Sequence, residues 1–215
     1  MPSAHYMSFI EQVNTPARFR HSLGVMKVMG ELAEVYGLDR ERAETTGILH
    51  DAAKDLSPAQ QQQIIHDWEI EVRYPCETDY NFFLHGPVGA AFVQQELGIT
   101  DGLVLDAITN HTHCGNGDNF DHPICWCLRI ADMVEPGRNW SKWPWFDTGI
   151  ASLKEVAYAR RLEEAAFLQT SLLLKWFGNL NLPVHPRMQQ SNEALGKQLG
   201  LGAEYLDGKI APCQG

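Results

Sequence analysis

Apolar residues in this chain recur every three or four positions, and no run of any length alternates as a half-buried strand would. His21, Val25, Val28, Leu32 and Val35 form one such stripe between about residues 18 and 36, and Gly37 supplies its stop. Asp39 can cap the next helix, which carries GILHDAAK. SPAQ, at 57–60, has the cap, proline and glutamine of a capping box, so another helix runs through QQQIIHDW. Residues 71–84 read as a loop. HGPVGAAFVQQELG is a helix with Pro87 in its first turn and Gly98 past its end. Thr100 then caps a helix with Val104, Ala107, Ile108 and His111 on one face. CGNGDN is a loop, and DHPICWCLRIADMVEP is a helix opened near Asp121 and Pro123 and closed by Pro136. NWSKWPWF is a connector, a long helix covers about residues 148–177, and a weaker one covers about 191–199. The pattern predicts an all-α fold with one domain over residues 15–178 and a loose helical C-terminal extension over 179–215.

A net charge of −10 argues against broad binding to nucleic acid or to an anionic membrane surface, which both need clustered Lys and Arg. It leaves room for a small anionic ligand held by a local pocket of cations. No apolar run reaches the length of a membrane span, and the first residues lack a basic segment followed by an apolar one. Five cysteines is an odd count in a chain of 215 residues, so reduced thiols in the cytoplasm are the expectation.

Within GILHDAAK, His50 stands directly before Asp51. Composition alone gives about 0.5 adjacent His-Asp pairs by chance, and the chain has two, so the dipeptide by itself means little. His66-Asp67 closes a glutamine-rich, solvated helix and reads as surface. His50-Asp51 lies among Ala43, Gly47, Ile48, Leu49 and Ala53, small and apolar residues that allow close helix approach. A buried carboxylate there needs a cation or several donors. His21 and His111 lie on apolar stripes of other helices, Asp132 continues the stripe of Cys125 and Leu128, and His85 stands at a helix start. Singly, each reads as a satisfied core or boundary residue. Together they aim imidazoles and carboxylates at one interior, the way helical bundles build metal sites. That donor set, without thiolate, suits iron, manganese or another borderline-to-hard divalent ion.

The order His21, His50-Asp51, Asp132 resembles the H…HD…D pattern of the HD-domain metal-dependent phosphohydrolases. HSLGV (21–25), ILHDAAKDLS (48–57), HGPVGA (85–90), NHT (110–112) and IADMVEPGR (130–138) look like its symmetrical bis(5′-nucleosyl)-tetraphosphatases, over roughly residues 17–140. The resemblance implies an HD-domain helical bundle that splits diadenosine tetraphosphate into two ADP by metal-activated water. It makes His21, His50, Asp51 and Asp132 the ligands of one or two ions, most often iron, with His85 and His111 as second-metal ligands or phosphate contacts. Lys54 and Arg138 would grip the phosphate chain, and His21, His85 and His111 would also face substrate. Asp51, Lys54, His85 and His111 are thus the candidate catalytic residues, and a homodimer is compatible with the family. Lys54 follows His50 by four residues, so on a helix it projects from the same face.

Some positions depart from the family. His113 and Cys114 follow the NHT motif where small or hydroxyl residues are usual; His113 is either an extra ligand or a loop histidine, and the loop is the favoured reading. Met133 replaces a common aromatic residue. Trp140, Trp143 and Trp145 could offer a stacking platform, though a connector that packs the last helix down is the simpler reading. Cys125 and Cys127, two apart on a helix, point away from each other and read as buried free thiols. Two other functions remain open from the residues: a phosphohydrolase for another nucleotide, or a module that senses nucleotide or metal without turnover.

Overall fold

Capping residues set most helix ends. The computed structural model describes residues 4–79, 82–113 and 121–211; the CGNGDN segment, with Cys114, lies outside the described residues. Among these, twelve helices follow one another without a strand: α1 (Ala4–Val13), α2 (Pro16–Tyr36), α3 (Arg40–Leu49), α4 (Pro58–Asp67), α5 (Pro75–Asp79), α6 (His85–Leu97), α7 (Gly102–Asn110), α8 (Pro123–Val134), α9 (Pro144–Tyr158), α10 (Leu162–Asn179), α11 (Pro186–Leu199) and α12 (Ala203–Ile210). Gly37 ends α2 in the left-handed region, at φ 66°. Asp39 accepts the Arg42 N–H at 2.8 Å, and Ser57 and Gln60 complete the capping box of α4. No helix among the described residues is long and apolar enough to cross a membrane.

The structure differs from the sequence pattern at several ends. Helix α3 stops at Leu49, and residues 51–55 continue in tight turns, with Ala52 N–H on Leu49 O and Lys54 N–H on Asp51 O. Asp101, rather than Thr100, caps α7, its carboxylate accepting the N–H groups of Leu103 and Val104. His122 caps α8 through Nδ1. The expected single helix over 148–177 is two, because Arg160 turns the chain at φ 62° between α9 and α10. Helix α1, whose Tyr6, Phe9, Ile10 and Val13 recur at helical spacing, and the five-residue α5 were not among the expected helices. Residues 179–211 hold α11 and α12, with Met188 and Leu206 buried against the rest.

The larger apolar core joins α2, α8, α9 and α10 through residues such as Met29, Leu32, Leu128, Phe146 and Leu168. Trp140, Trp143 and Trp145 pack at its edge, as a connector would. A second core joins α1, α3, α6 and α7 through Ile10, Ile48, Val93, Val104 and Ile108. One glycine lets α3 close on α2, between the two cores, and another lets α6 close on α7, within the second. A Cβ on residue 47 would stand 2.7 Å from Met26 Cα of α2, and one on residue 86 would stand 2.6 Å from Thr109 O. The layers bring several chain ends to one place: His50 and His111 directly follow α3 and α7, His85 opens α6, and Asp132 sits in the last turn of α8.

Candidate metal centre

Four histidines turn their Nε2 atoms toward two carboxylates. His21 Nε2 lies 2.9 Å from Asp132 Oδ1. His50 Nε2 lies 3.5 Å from Asp51 Oδ2 and 3.7 Å from Asp132 Oδ1. On the other side of Asp51, His85 Nε2 and His111 Nε2 lie 3.3 and 3.5 Å from Oδ1. Asp51 therefore faces His21 and His50 with one oxygen and His85 and His111 with the other.

The outer nitrogen of each ring is already engaged. His50 Nδ1 donates to Gly47 O at 2.8 Å, His111 Nδ1 to Ile108 O at 2.6 Å, and His85 Nδ1 to Phe82 O. His21 Nδ1 donates to Glu135 Oε1 at 3.0 Å. A neutral imidazole that donates from Nδ1 keeps a lone pair on Nε2, the arrangement found in metal-ligating histidines. His50 Nε2 is buried and has no hydrogen-bond partner among the described residues. Buried polar atoms are rarely left so, and a cation between His50, Asp51 and Asp132 would satisfy it. Ligand atoms of His21, His50 and Asp132 lie within 4.8 Å of one another, and so do those of His50, Asp51 and His111. Such a nitrogen and oxygen set fits a divalent transition ion.

Electrostatics agree with that fit. Burial works against ionising Asp51, yet His50, His111 and His85 around it outweigh burial and hold its carboxyl well below the usual range. Asp132 is held low in the same way, against its burial, by Arg138, His21 and His50. Burial also opposes charge on His21, but hydrogen bonds to Asp132 and Glu135 win and raise it to about 9. A proton on His21 Nε2 and a metal ion are alternatives at that position.

Three cations surround the carboxylates. Lys54 Nζ lies 2.9 Å from His85 Nδ1 and 4.4 Å from the centre of the Phe82 ring. Burial, only partly offset by Asp51, lowers this amine to about 8. Burial and then the neighbouring Lys54 lower His85 to about 3, so its ring is neutral. Arg138 donates through Nε to Asp132 O at 2.8 Å and through Nη2 to Asp132 Oδ1, with its guanidinium 5.3 Å from the Trp140 ring centre. Arg18 Nη1 lies 2.7 Å from Asp51 Oδ2. A cleft of about 250 Å³ opens beside Arg18, His21, Glu135 and Arg138.

The structure thus brings together His21, His50, Asp51, Lys54, His85, His111, Asp132 and Arg138. Lys54 reaches the site through the turns after Asp51, not from a continued helix face. The histidines assigned to first and second metals form one continuous array with Asp51 between them. His66 and Asp67 are exposed and, among the described residues, pair with each other and with Gln63 at the surface. Cys125 and Cys127 are buried, and burial pushes both thiols up to about 12. His113 is buried, with only 7% of its surface accessible, instead of lying free on a loop. Arg18 and Glu135 were not singled out from the sequence. Each lies three residues from a candidate ligand, Arg18 before His21 and Glu135 after Asp132, and that spacing was the available signal.

Known proteins give the same picture. The HD domain family model matches residues 18–137. The "Bis(5′-nucleosyl)-tetraphosphatase, symmetrical" of Bacillus subtilis is 37% identical over 134 residues, covering 61% of this chain and 68% of its own. Its counterpart in Halalkalibacterium halodurans is 34% identical over 128 residues, or 58% of this chain and 64% of its own. The chain therefore spans about two thirds of the length of these relatives. The crystal structure of a "predicted HD superfamily hydrolase involved in NAD metabolism" from Clostridium acetobutylicum superimposes with a TM-score of 0.78. It has 26% identity and covers 90% of this chain and 96% of its own. With more than half its length matched by the family model, and its ligand-type side chains gathered as above, this chain belongs to the HD-domain family of hydrolases, beside the symmetrical bis(5′-nucleosyl)-tetraphosphatases.

Proposed function

We propose that this protein hydrolyses dinucleoside polyphosphates, splitting diadenosine tetraphosphate and one water symmetrically into two ADP, in the cytoplasm. The observation that carries the reading is the orphaned, buried Nε2 of His50 between the Asp51 and Asp132 carboxylates, with three cations around them. We assign His21, His50, Asp51 and Asp132 to a divalent ion, iron foremost, and His85 and His111 to a second ion or to phosphate. When bound, such an ion supplies a lowered pKa for water and charge to offset that of the transferring phosphoryl group.

The chain's own groups do the rest. Arg138 presents a fork on one side of the carboxylates and Arg18 another, and both suit bidentate contact with phosphate oxygens. Lys54 holds a single mobile charge beside His85. The neutral His85 ring keeps a lone pair on Nε2, so it is placed to accept a hydrogen bond from the attacking water and orient it. Four phosphates carry several negative charges, and this local cluster of cations receives them on a chain whose net charge is −10. The names of the relatives support the choice of substrate.

Product analysis tests the reading. Anaerobically purified protein with diadenosine tetraphosphate is expected to release ADP alone. Formation of AMP and ATP, or no turnover between pH 6 and 9 with iron or manganese supplied, would overturn it.

A further inference from the structure

A second group of metal-binding side chains meets where α5, the residues after α7 and the start of α11 come together. Glu77, His113 and His185 are 6%, 7% and 0% exposed. One donor atom from each lies within 4.8 Å of the other two. His185 Nε2 is 3.1 Å from Glu77 Oε1, and the two imidazole centres are 4.4 Å apart. We propose that Glu77, His113 and His185 bind a divalent transition ion of the zinc and iron class, separate from the centre built around Asp51.

The outward atoms of two of these residues are fixed in the manner of metal ligands. Glu77 Oε2 accepts the N–H groups of Arg73 and Tyr74, at 2.7 and 3.0 Å, which leaves Oε1 facing the rings. Thr112 Oγ1 donates to Phe83 O, so it accepts from His113 Nδ1, 3.2 Å away. That settles the tautomer of His113 and leaves a lone pair on its Nε2, which makes no hydrogen bond among the described residues. Supporting hydrogen bonds of this kind orient ligands and fix their protonation. Two imidazoles and one carboxylate are a sufficient protein set for zinc or ferrous iron.

His185 differs in one respect. Its Nδ1 accepts the Arg187 N–H at 3.2 Å and caps α11, so its proton lies on Nε2, toward Glu77. Ligation through Nε2 moves that proton to Nδ1 and opens the cap. Ion binding is thereby coupled to the first turn of α11. The ion would staple the C-terminal helices to α5, to the segment leading into His85 and to the chain just after His111. This reading involves no nucleotide and stands apart from the proposed reaction.

The test uses the full chain, stripped with chelator and titrated with Zn²⁺ by calorimetry while Tm is followed. The Asp51→Ala/Asp132→Ala variant, which lacks the main centre, is expected to bind an equivalent of Zn²⁺ and to gain Tm with it. Adding His113→Ala is expected to abolish both effects. Absence of Zn²⁺ binding in the double variant, or binding that His113→Ala leaves unchanged, would overturn the proposal. If the double variant does not fold, wild type is compared with His113→Ala and with Glu77→Gln. One fewer equivalent in these variants supports the site, and equal stoichiometry overturns it.

Discussion

A Cβ on Gly86 would stand 2.9 Å from Ile108 O, the carbonyl to which His111 Nδ1 donates at 2.6 Å. Helix packing and ligand orientation thus meet at one oxygen. Gly86→Ala cannot be absorbed by a side-chain rotation, because the atoms in the way are backbone. It is expected to cost roughly 1–3 kcal/mol of stability, as overpacking does, and to shift His111 relative to Asp51. Urea denaturation measures the first effect and metal affinity the second. Wild-type values for both would show that α6 and α7 can separate freely.

Arg18 gives a prediction of mixed sign. Its guanidinium neutralises Asp51 Oδ2, an oxygen also turned toward His50. Arg18→Met removes a competitor of the ion and a contact for phosphate together. Divalent ion affinity should therefore rise several-fold, while KM for diadenosine tetraphosphate rises about 10-fold, the loss of one charge-assisted hydrogen bond. A parallel fall in both affinities would mean that Arg18 only props up the site.

Glu135 acts through His21. Its Oε1 holds His21 Nδ1, and its Oε2 accepts the Gly137 N–H. Glu135→Gln should weaken metal binding by roughly 10–100-fold, as loss of an orienting carboxylate does. Asp51→Ala should abolish turnover and metal binding at the centre around residue 51, with no effect on the Glu77, His113 and His185 group. His66→Ala, at the exposed second pair, should leave turnover and metal content at wild-type levels. Metal content and initial rates on the same samples decide these outcomes.

Acid should weaken the cap of α7. Partial burial opposes ionisation of Asp101, but the hydrogen bond from Arg42 and those from the N–H groups of Val104 and Leu103 lower its carboxyl below the ordinary value. A depressed pKa means that the cap's stabilisation is fully present above the unfolded value of about 3.9. It is lost as pH falls through the lower folded value. Asp101→Ala should cost about 1 kcal/mol at neutral pH, and this difference from wild type should shrink below about pH 3.9. A constant difference down to pH 2 would remove the carboxylate from the explanation.

Local chemistry made most of the fold readable. Glycine stops at 37 and 98, the box at Ser57 and Gln60, and the aspartate at 39 act within one turn, so neighbouring residues reveal them. The break at Arg160 was hidden because nothing in VAYARRLEE favours a left-handed residue; the packing of α9 and α10 imposes it. The candidate ligands His21, His111 and Asp132 stood out in the sequence because they continue apolar stripes where a polar residue is out of place. Partners supplied from afar were not. His185 lies 108 positions from Glu77, and no spacing rule reaches that distance. The small residues around His50 did foretell the close approach of α2 and α3 at Gly47.

His50, His85 and His111 each tie their outer nitrogen to the carbonyl three residues earlier in their own chain segment. For His50 and His111, which nitrogen carries the proton is therefore decided inside the segment, whereas at His85 the Lys54 amine also stands 2.9 Å from Nδ1. Sequence drift in the layers can change how far apart the His50 and His111 rings stand without turning a lone pair into a donor. Such a scaffold can be retuned for ions of different radius by small helix shifts, one contact at a time, while the identity of these two donor atoms is inherited unchanged.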